Sequence, residues 1–229
     1  MLQTLEVYLS VLLDAEKFVG DQNGIYHPSP RPVGRLGLAL EPPSDAAAWV
    51  RRERLDALFL HRPWKLGPLP EDIGVLAYHY AFDERLTTGY NPYLADALGL
   101  TGLEVLGDKE GRPLGMIGDV SPESFATFLS RVEAEFGGLE EVYNARECEV
   151  SRACVVGAMR PALIQEAAER GAQVYLTGEY RKGAAQAVEE TGMIVLEVGH
   201  ERSERWGLRQ LAALLEVQFP SLKTVIRSS

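Results

Sequence analysis

Cysteine is nearly absent. Cys148 and Cys154 are the only two in 229 residues. They form no CxxC pair, and two thiols make no disulfide framework. They read as reduced thiols of a cytosolic protein, small buried hydrophobes before zinc ligands. Basic excess is missing too: 23 Lys and Arg stand against 33 Asp and Glu, a net charge of −10. Such a surface repels phosphate backbones and anionic lipid, so nucleic acid and membrane are poor partners. No apolar run approaches the length that spans a bilayer. The start, MLQTLEVYLSVLLDAEKF, lacks a basic leader region, and Glu6, Asp14 and Glu16 interrupt its apolar residues. It reads as an amphipathic helix and not a signal peptide, in a cytoplasmic protein. There is no GxGxxG after a strand, no GxxxxGK[ST] and no GxSxG, which removes dinucleotide, P-loop and nucleophile-elbow readings.

What is present is an ordinary globular balance, 46% apolar, in a chain long enough for one large domain or two small lobes. Helical spacing over residues 2–19 predicts a first helix, followed by the turn-rich DQNGIYHPSPRP. GRLGLALE (34–41), LDALFL (55–60) and IGVLAY (73–78) read as strands, with a helix over SDAAAWVRRER capped by Ser44 or Asp45. A helix is expected within 84–98, then LEVLG and GRPLGMIGDV as short strands about a turn. Ser121-Pro122-Glu123 predicts a helix start, a capping residue with proline behind it. RACVVG (152–157), QVYLTG (173–178), MIVLEVG (193–199) and LKTVIR follow as strands, alternating with three helices. Single-helix crossovers imply parallel neighbours. The expected class is α/β, two lobes of mixed, largely parallel sheet flanked by helices, with approximate lobes 1–125 and 126–229 within one domain, 1–229.

Open parallel sheets bind ligands beyond the carboxyl ends of their strands. Of four histidines, His61, His79 and His200 each follow an apolar run at such an end. Taken singly, each reads as a polar residue closing a strand; three together point to a shared site. Asp83 lies four residues after His79, and Glu204 four after His200 in HERSE. On a helix that spacing puts His200 and Glu204 on one face. Imidazoles with carboxylates are the ligand set of zinc, iron or manganese, and a mixed cluster can hold one or two ions. The plainer reading of Glu204 is a carboxylate favoured by a helix start, and of Asp83 a helix cap. Glu179, in TGEY, also ends a strand and reads as an acid, a base or a cap. His27 has no partner by spacing.

The order of these features resembles the Nif-three-like proteins, the GTP cyclohydrolase I type 2 homologues and dinuclear-metal-centre hexamers. DQNGIY (21–26) is similar to the family's DNxGL, FLHRPW (59–64) to its strand ending in HHP, and AYHYAFD (77–83) to its AHTxxD. VYLTGEYRKGAAQA resembles DVYxTGDxKYHDA, and EVGHERSE (197–204) its GHxxxE. The resemblance implies His61, His79, Asp83, His200 and Glu204 as metal ligands, a homohexamer of the chain with itself, and no inserted domain of the kind longer members carry. The chain departs from the pattern at three places. Arg62 replaces the second histidine of HHP, Gly183 or a neighbour the histidine of KYHDA, and Ala81 or Phe82 the asparagine of AHTN. A fixed positive charge at Arg62 repels a divalent cation. The site then holds one metal or a weak second one, or Arg62 grips an anionic substrate. Two functions are implied. One is a metal-dependent hydrolase acting on a nucleotide or related heterocycle, GTP cyclohydrolase-like, with Glu179 or Glu204 moving protons and Arg62 binding the phosphate of a small-molecule nucleotide. The other is a non-catalytic oligomeric metal-binding scaffold or interaction protein.

Overall fold

A computed structural model describes residues 1–227 of the chain. Its described residues divide into two compact units: 1–82 with 207–227, and 83–206. The expected break near residue 125 is corrected by this division. The chain leaves the first unit at Phe82 and returns to it through its last helix, because the final strand belongs to the first sheet.

In the first unit, α1 (Leu2–Leu12) buries Leu2, Leu5 and Leu9. It is shorter than the expected 2–19. Asp14 turns into the left-handed region at φ 54°, and Ala15–Lys17 form a separate 3-10 turn tied by a Lys17–Asp14 ion pair of 2.7 Å. Strands β1 (Asn23–His27), β2 (Arg35–Ala39), β3 (Ala57–Leu60), β4 (Gly74–Tyr78) and β11 (Lys223–Ile226) make a sheet in the order β1-β4-β3-β2-β11. All neighbours are parallel except β1, which runs antiparallel to β4. Helix α2 (Ala46–Glu53) packs Trp49 and Val50 onto Leu58 and Leu60. Gly37 permits that approach, since a Cβ there would lie 2.5 Å from Leu55 and 2.8 Å from Trp49.

Helix α3 (Tyr80–Leu86) carries the boundary between the units, and α4 (Pro92–Ala97) follows it. The single helix expected within 84–98 is therefore two. A Cβ on Gly89 would fall 2.2 Å from the Glu84 carbonyl oxygen, so the chain turns there only as glycine. Asn91 restarts it, its side chain accepting from the amides of Tyr93 and Leu94, with Pro92 in the first turn.

The second unit holds β5 (Thr101–Lys109), β6 (Arg112–Ser124), α5 (Phe125–Phe136), β7 (Glu141–Tyr143), β8 (Glu149–Val156), α6 (Pro161–Glu169), β9 (Val174–Thr177), α7 (Ala185–Thr191) and β10 (Ile194–Glu197). Helix α8 (His200–Gln218) leads out of it. Its sheet runs β5-β6-β8-β9-β10-β7, parallel across β8, β9 and β10 and antiparallel elsewhere. Alternate residues of each central strand enter opposite cores. Ala153, Val155, Val174, Leu176, Ile194 and Leu196 face one core, and Cys154, Val156, Tyr175 and Val195 the other. This is the period-two pattern of a sheet covered on both faces. Ser121-Pro122-Glu123 does not open a helix. These residues lie in β6 where its pairing with β8 slips between Asp119 and Glu123, an irregularity that suits a proline with no N–H to offer. The helix begins three residues later than expected, at Phe125, with the cap Ser124 Oγ accepting from the Thr127 amide at 3.2 Å. Both cysteines are free. No helix among the described residues is long and apolar enough to cross a membrane.

Candidate metal centre

Strands β3 and β4 run side by side with Leu60 opposite Ala77. Each is buried along its whole length and ends where its apolar residues end. The next polar residues, His61 and His79, therefore emerge at one edge of the sheet, their ring centroids 5.2 Å apart. Asp83 follows His79 by four residues in α3. One ligand atom from each of His61, His79 and Asp83 lies within 4.8 Å of the others. His61 is wholly buried.

Both imidazoles are held through Nδ1. His61 Nδ1 lies 3.0 Å from the Tyr78 carbonyl oxygen. His79 Nδ1 lies 3.0 Å from Asp21 Oδ1, and Asp21 Oδ2 accepts from the Tyr80 amide at 2.7 Å. Asp21 reaches that place because β1 pairs with β4, with Asn23 opposite Tyr78, and because the His79 amide donates to the Gln22 carbonyl. A ring whose Nδ1–H donates to an oxygen keeps its lone pair on Nε2, the arrangement that metal-binding histidines adopt. Two imidazole nitrogens and a carboxylate oxygen, backed in this way, fit zinc, iron or manganese.

In the second unit, β10 ends at Glu197 and Gly199, at φ 92°, turns the chain into α8. His200 opens the helix and Glu204 follows one turn on, with Nε2 to Oε1 at 2.9 Å. The two sit on one face, as their spacing predicts. Glu204 is 1% exposed while the His200 ring is 60% exposed. Ser203 Oγ donates to the His200 carbonyl at 2.7 Å and steadies the first turn.

The remaining candidates have local partners. Arg62 Nε donates to Glu41 Oε1 at 3.3 Å. Glu179, in the turn after β9, pairs with Arg181 at 2.6 Å. His27 lies on β1, stacked on Tyr26. Asp21 is the residue that sequence reasoning missed. It stood in view as the first residue of DQNGIY, in the stretch that resembles DNxGL, but only the antiparallel pairing of β1 gives it a role.

A model of the family Duf34/NIF3 (NGG1p interacting factor 3) matches residues 48–229. A GTP cyclohydrolase 1 type 2 homolog of Deinococcus radiodurans is 31% identical over 149 residues, covering 65% of this chain and 57% of that protein. One of Pyrococcus abyssi is 25% identical over 242 residues, covering 98% of this chain and 95% of that protein. The match spans under two thirds of the first relatives, 57% of the Deinococcus protein and 60% of its Neisseria meningitidis counterpart. Among solved structures, a Thermus thermophilus protein superposes with TM-score 0.75 at 23% identity, covering 99% of this chain and 97% of that one. Reduced HcgD from Methanocaldococcus jannaschii gives 0.74 at 22%, covering 98% and 96%. At these identities the likeness is one of fold.

Proposed function

This chain belongs to the Duf34/NIF3 family, and on that premise we propose that it is a divalent-metal-dependent hydrolase acting on a nucleotide or a related heterocycle. The observation that carries the reading is the convergence of His61, His79 and Asp83 within 4.8 Å, with Nδ1 of both rings already engaged. In this reading His61, His79 and Asp83 hold the ion through two imidazole nitrogens and one carboxylate oxygen. His200 and Glu204 complete the ligand set that the family resemblance implies. A bound zinc, iron or manganese ion supplies Lewis acidity toward water and a substrate carbonyl or phosphoryl oxygen. Glu204, or Glu179 released from Arg181, accepts and returns the proton. Arg62, now paired to Glu41, turns to an anionic group of the substrate.

Arg62 also supports a second reading, a non-catalytic metal-binding scaffold. It stands where the resemblance expects a ligand histidine, so one ion is the expected complement. By the same resemblance the chain assembles with itself, as a hexamer. One experiment addresses both readings: metal content by elemental analysis and GTP turnover, measured on the wild type, His79→Ala, His200→Ala, His27→Ala and Arg62→His. The hydrolase reading expects about one equivalent of metal, lost in His79→Ala, lowered in His200→Ala and kept in His27→Ala, with turnover following the metal. If Arg62→His gains a second equivalent and new turnover, the chemistry is one that Arg62 has switched off. Equal metal loss in His27→Ala and His79→Ala would overturn the site assignment. One equivalent without turnover in both the wild type and Arg62→His leaves the scaffold.

A further inference from the structure

A large aromatic side chain in water leaves a wide apolar face hydrated, which a flat ligand can cover. Among the described residues, the exposed aromatics are Trp64, Tyr80 and Tyr93. Two of these rest on the same ring, that of His79. Trp64 meets it edge-on with centroids 4.9 Å apart and planes at 86°. Tyr80 lies at 4.1 Å and 34°. Each is still 54% exposed. Neither hangs from a loose loop. Trp64 sits in a turn closed by the Leu66 amide on the Pro63 carbonyl at 2.9 Å, and the Tyr80 amide is held by Asp21 at 2.7 Å. Arg62 and Lys65 flank Trp64 in the chain, a local pair of cations in a protein of net charge −10.

We propose that Trp64 and Tyr80 are the stacking platform for the planar heterocyclic ring of the substrate, with a purine nucleotide as the ligand class. The inference rests on the nucleotide reading above and deepens it. It assigns recognition of the ring to two side chains that bind no metal. Stacking on an aromatic face needs no hydrogen-bond code, so the platform accepts purines broadly while the phosphates meet the cations beside it.

Tryptophan emission tests this directly. Trp49 and Trp206 are buried at 2% and 5% exposure, so a quencher that stacks at the surface acts on Trp64. The metal-loaded protein is titrated with GTP and, separately, with tripolyphosphate, which carries the phosphates without the ring. Excitation lies at the red edge of the tryptophan band, beyond purine absorption. GTP should quench and tripolyphosphate should not. By equilibrium dialysis, Trp64→Ala and Tyr80→Ala should each weaken GTP roughly fivefold to a hundredfold, the range for loss of one base-stacking ring. Tripolyphosphate should bind these variants as it binds the wild type, and Trp64→Phe should restore most of the GTP affinity. Equal affinity for GTP and tripolyphosphate, or equal losses for both in the variants, overturns the platform. So does emission that ignores GTP and changes only with protein concentration, the mark of a self-association face. Metal content of the same samples separates the two readings. A full equivalent of metal without quenching sinks the platform alone. Quenching without metal sinks the metal reading and keeps the platform.

Discussion

A histidine binds a metal through the nitrogen that carries no proton, so its other nitrogen decides whether it is ready. At His79 that decision belongs to Asp21, 58 residues away in sequence. Asp21→Asn keeps the shape and removes the charge. It should lower metal affinity about 10- to 100-fold, the usual cost of losing such a partner, as read by competition with a chromophoric chelator. Unchanged affinity would leave Asp21 only its bond to the Tyr80 amide. The three strand-end histidines were legible because a polar ring after an apolar run is visible in one dimension. Asp21 was not, because its role comes from the register of a strand pair. Next to this site, burial pushes the Tyr78 phenol up to about 12. Its hydroxyl donates to the Glu6 carbonyl at 3.0 Å and meets Ser10 Oγ at 2.9 Å, pinning β4 to α1. The folded protein thus favours the neutral phenol. That contribution is complete below the free value of about 10 and is lost as pH rises through about 12. Tyr78→Phe should cost about 1–2 kcal/mol near neutrality by urea unfolding. It should also lose less stability than the wild type across that alkaline range, where Tyr143 ionises as well. Parallel declines would show that the shift at Tyr78 has no weight in the fold.

At the scale of elements, the β5–β6 hairpin turns on Glu110 and Gly111, at φ 56° and 78°. Two left-handed residues between paired strands make the type I′ turn, which asks for asparagine and then glycine. Glutamate in the first place is strained, since its Cβ crowds the backbone. Glu110→Asn should stabilise the protein by about 0.5–1 kcal/mol, seen as a higher thermal midpoint; a fall would mean that the Glu110 side chain contributes more than its backbone strain removes. The strands themselves were readable, because fully buried parallel strands are short apolar runs and β3, β4, β8, β9 and β10 all lie where such runs occur. The errors fell where a local signal met a tertiary demand. Ser-Pro-Glu carries the chemistry of a helix start, yet β8 recruits it into the bulged end of β6. The helical spacing of residues 2–19 continues past the point where Asp14 reverses the chain. The helix expected within 84–98 breaks at Gly89, where a Cβ would clash with the Glu84 carbonyl.

For the whole molecule, the least legible feature was chain order. The first unit takes residues from both ends, since β11 docks beside β2 with Thr224 opposite Leu36, and no pattern in LKTVIR names that partner. His61 and His79 close β3 and β4, neighbouring strands of this sheet, so an ion there ties the two strand ends together. A ligand that binds the folded form alone stabilises it by about 2.7 kcal/mol at a hundredfold excess over Kd. For a chain of this size that corresponds to a midpoint shift of roughly 5–10 °C. Chelation should therefore lower the thermal midpoint. Followed by tryptophan emission, EDTA should lower the midpoint of the wild type by several degrees and leave that of His79→Ala unchanged. An equal fall in both, or no shift in the wild type, would remove the metal from the fold altogether.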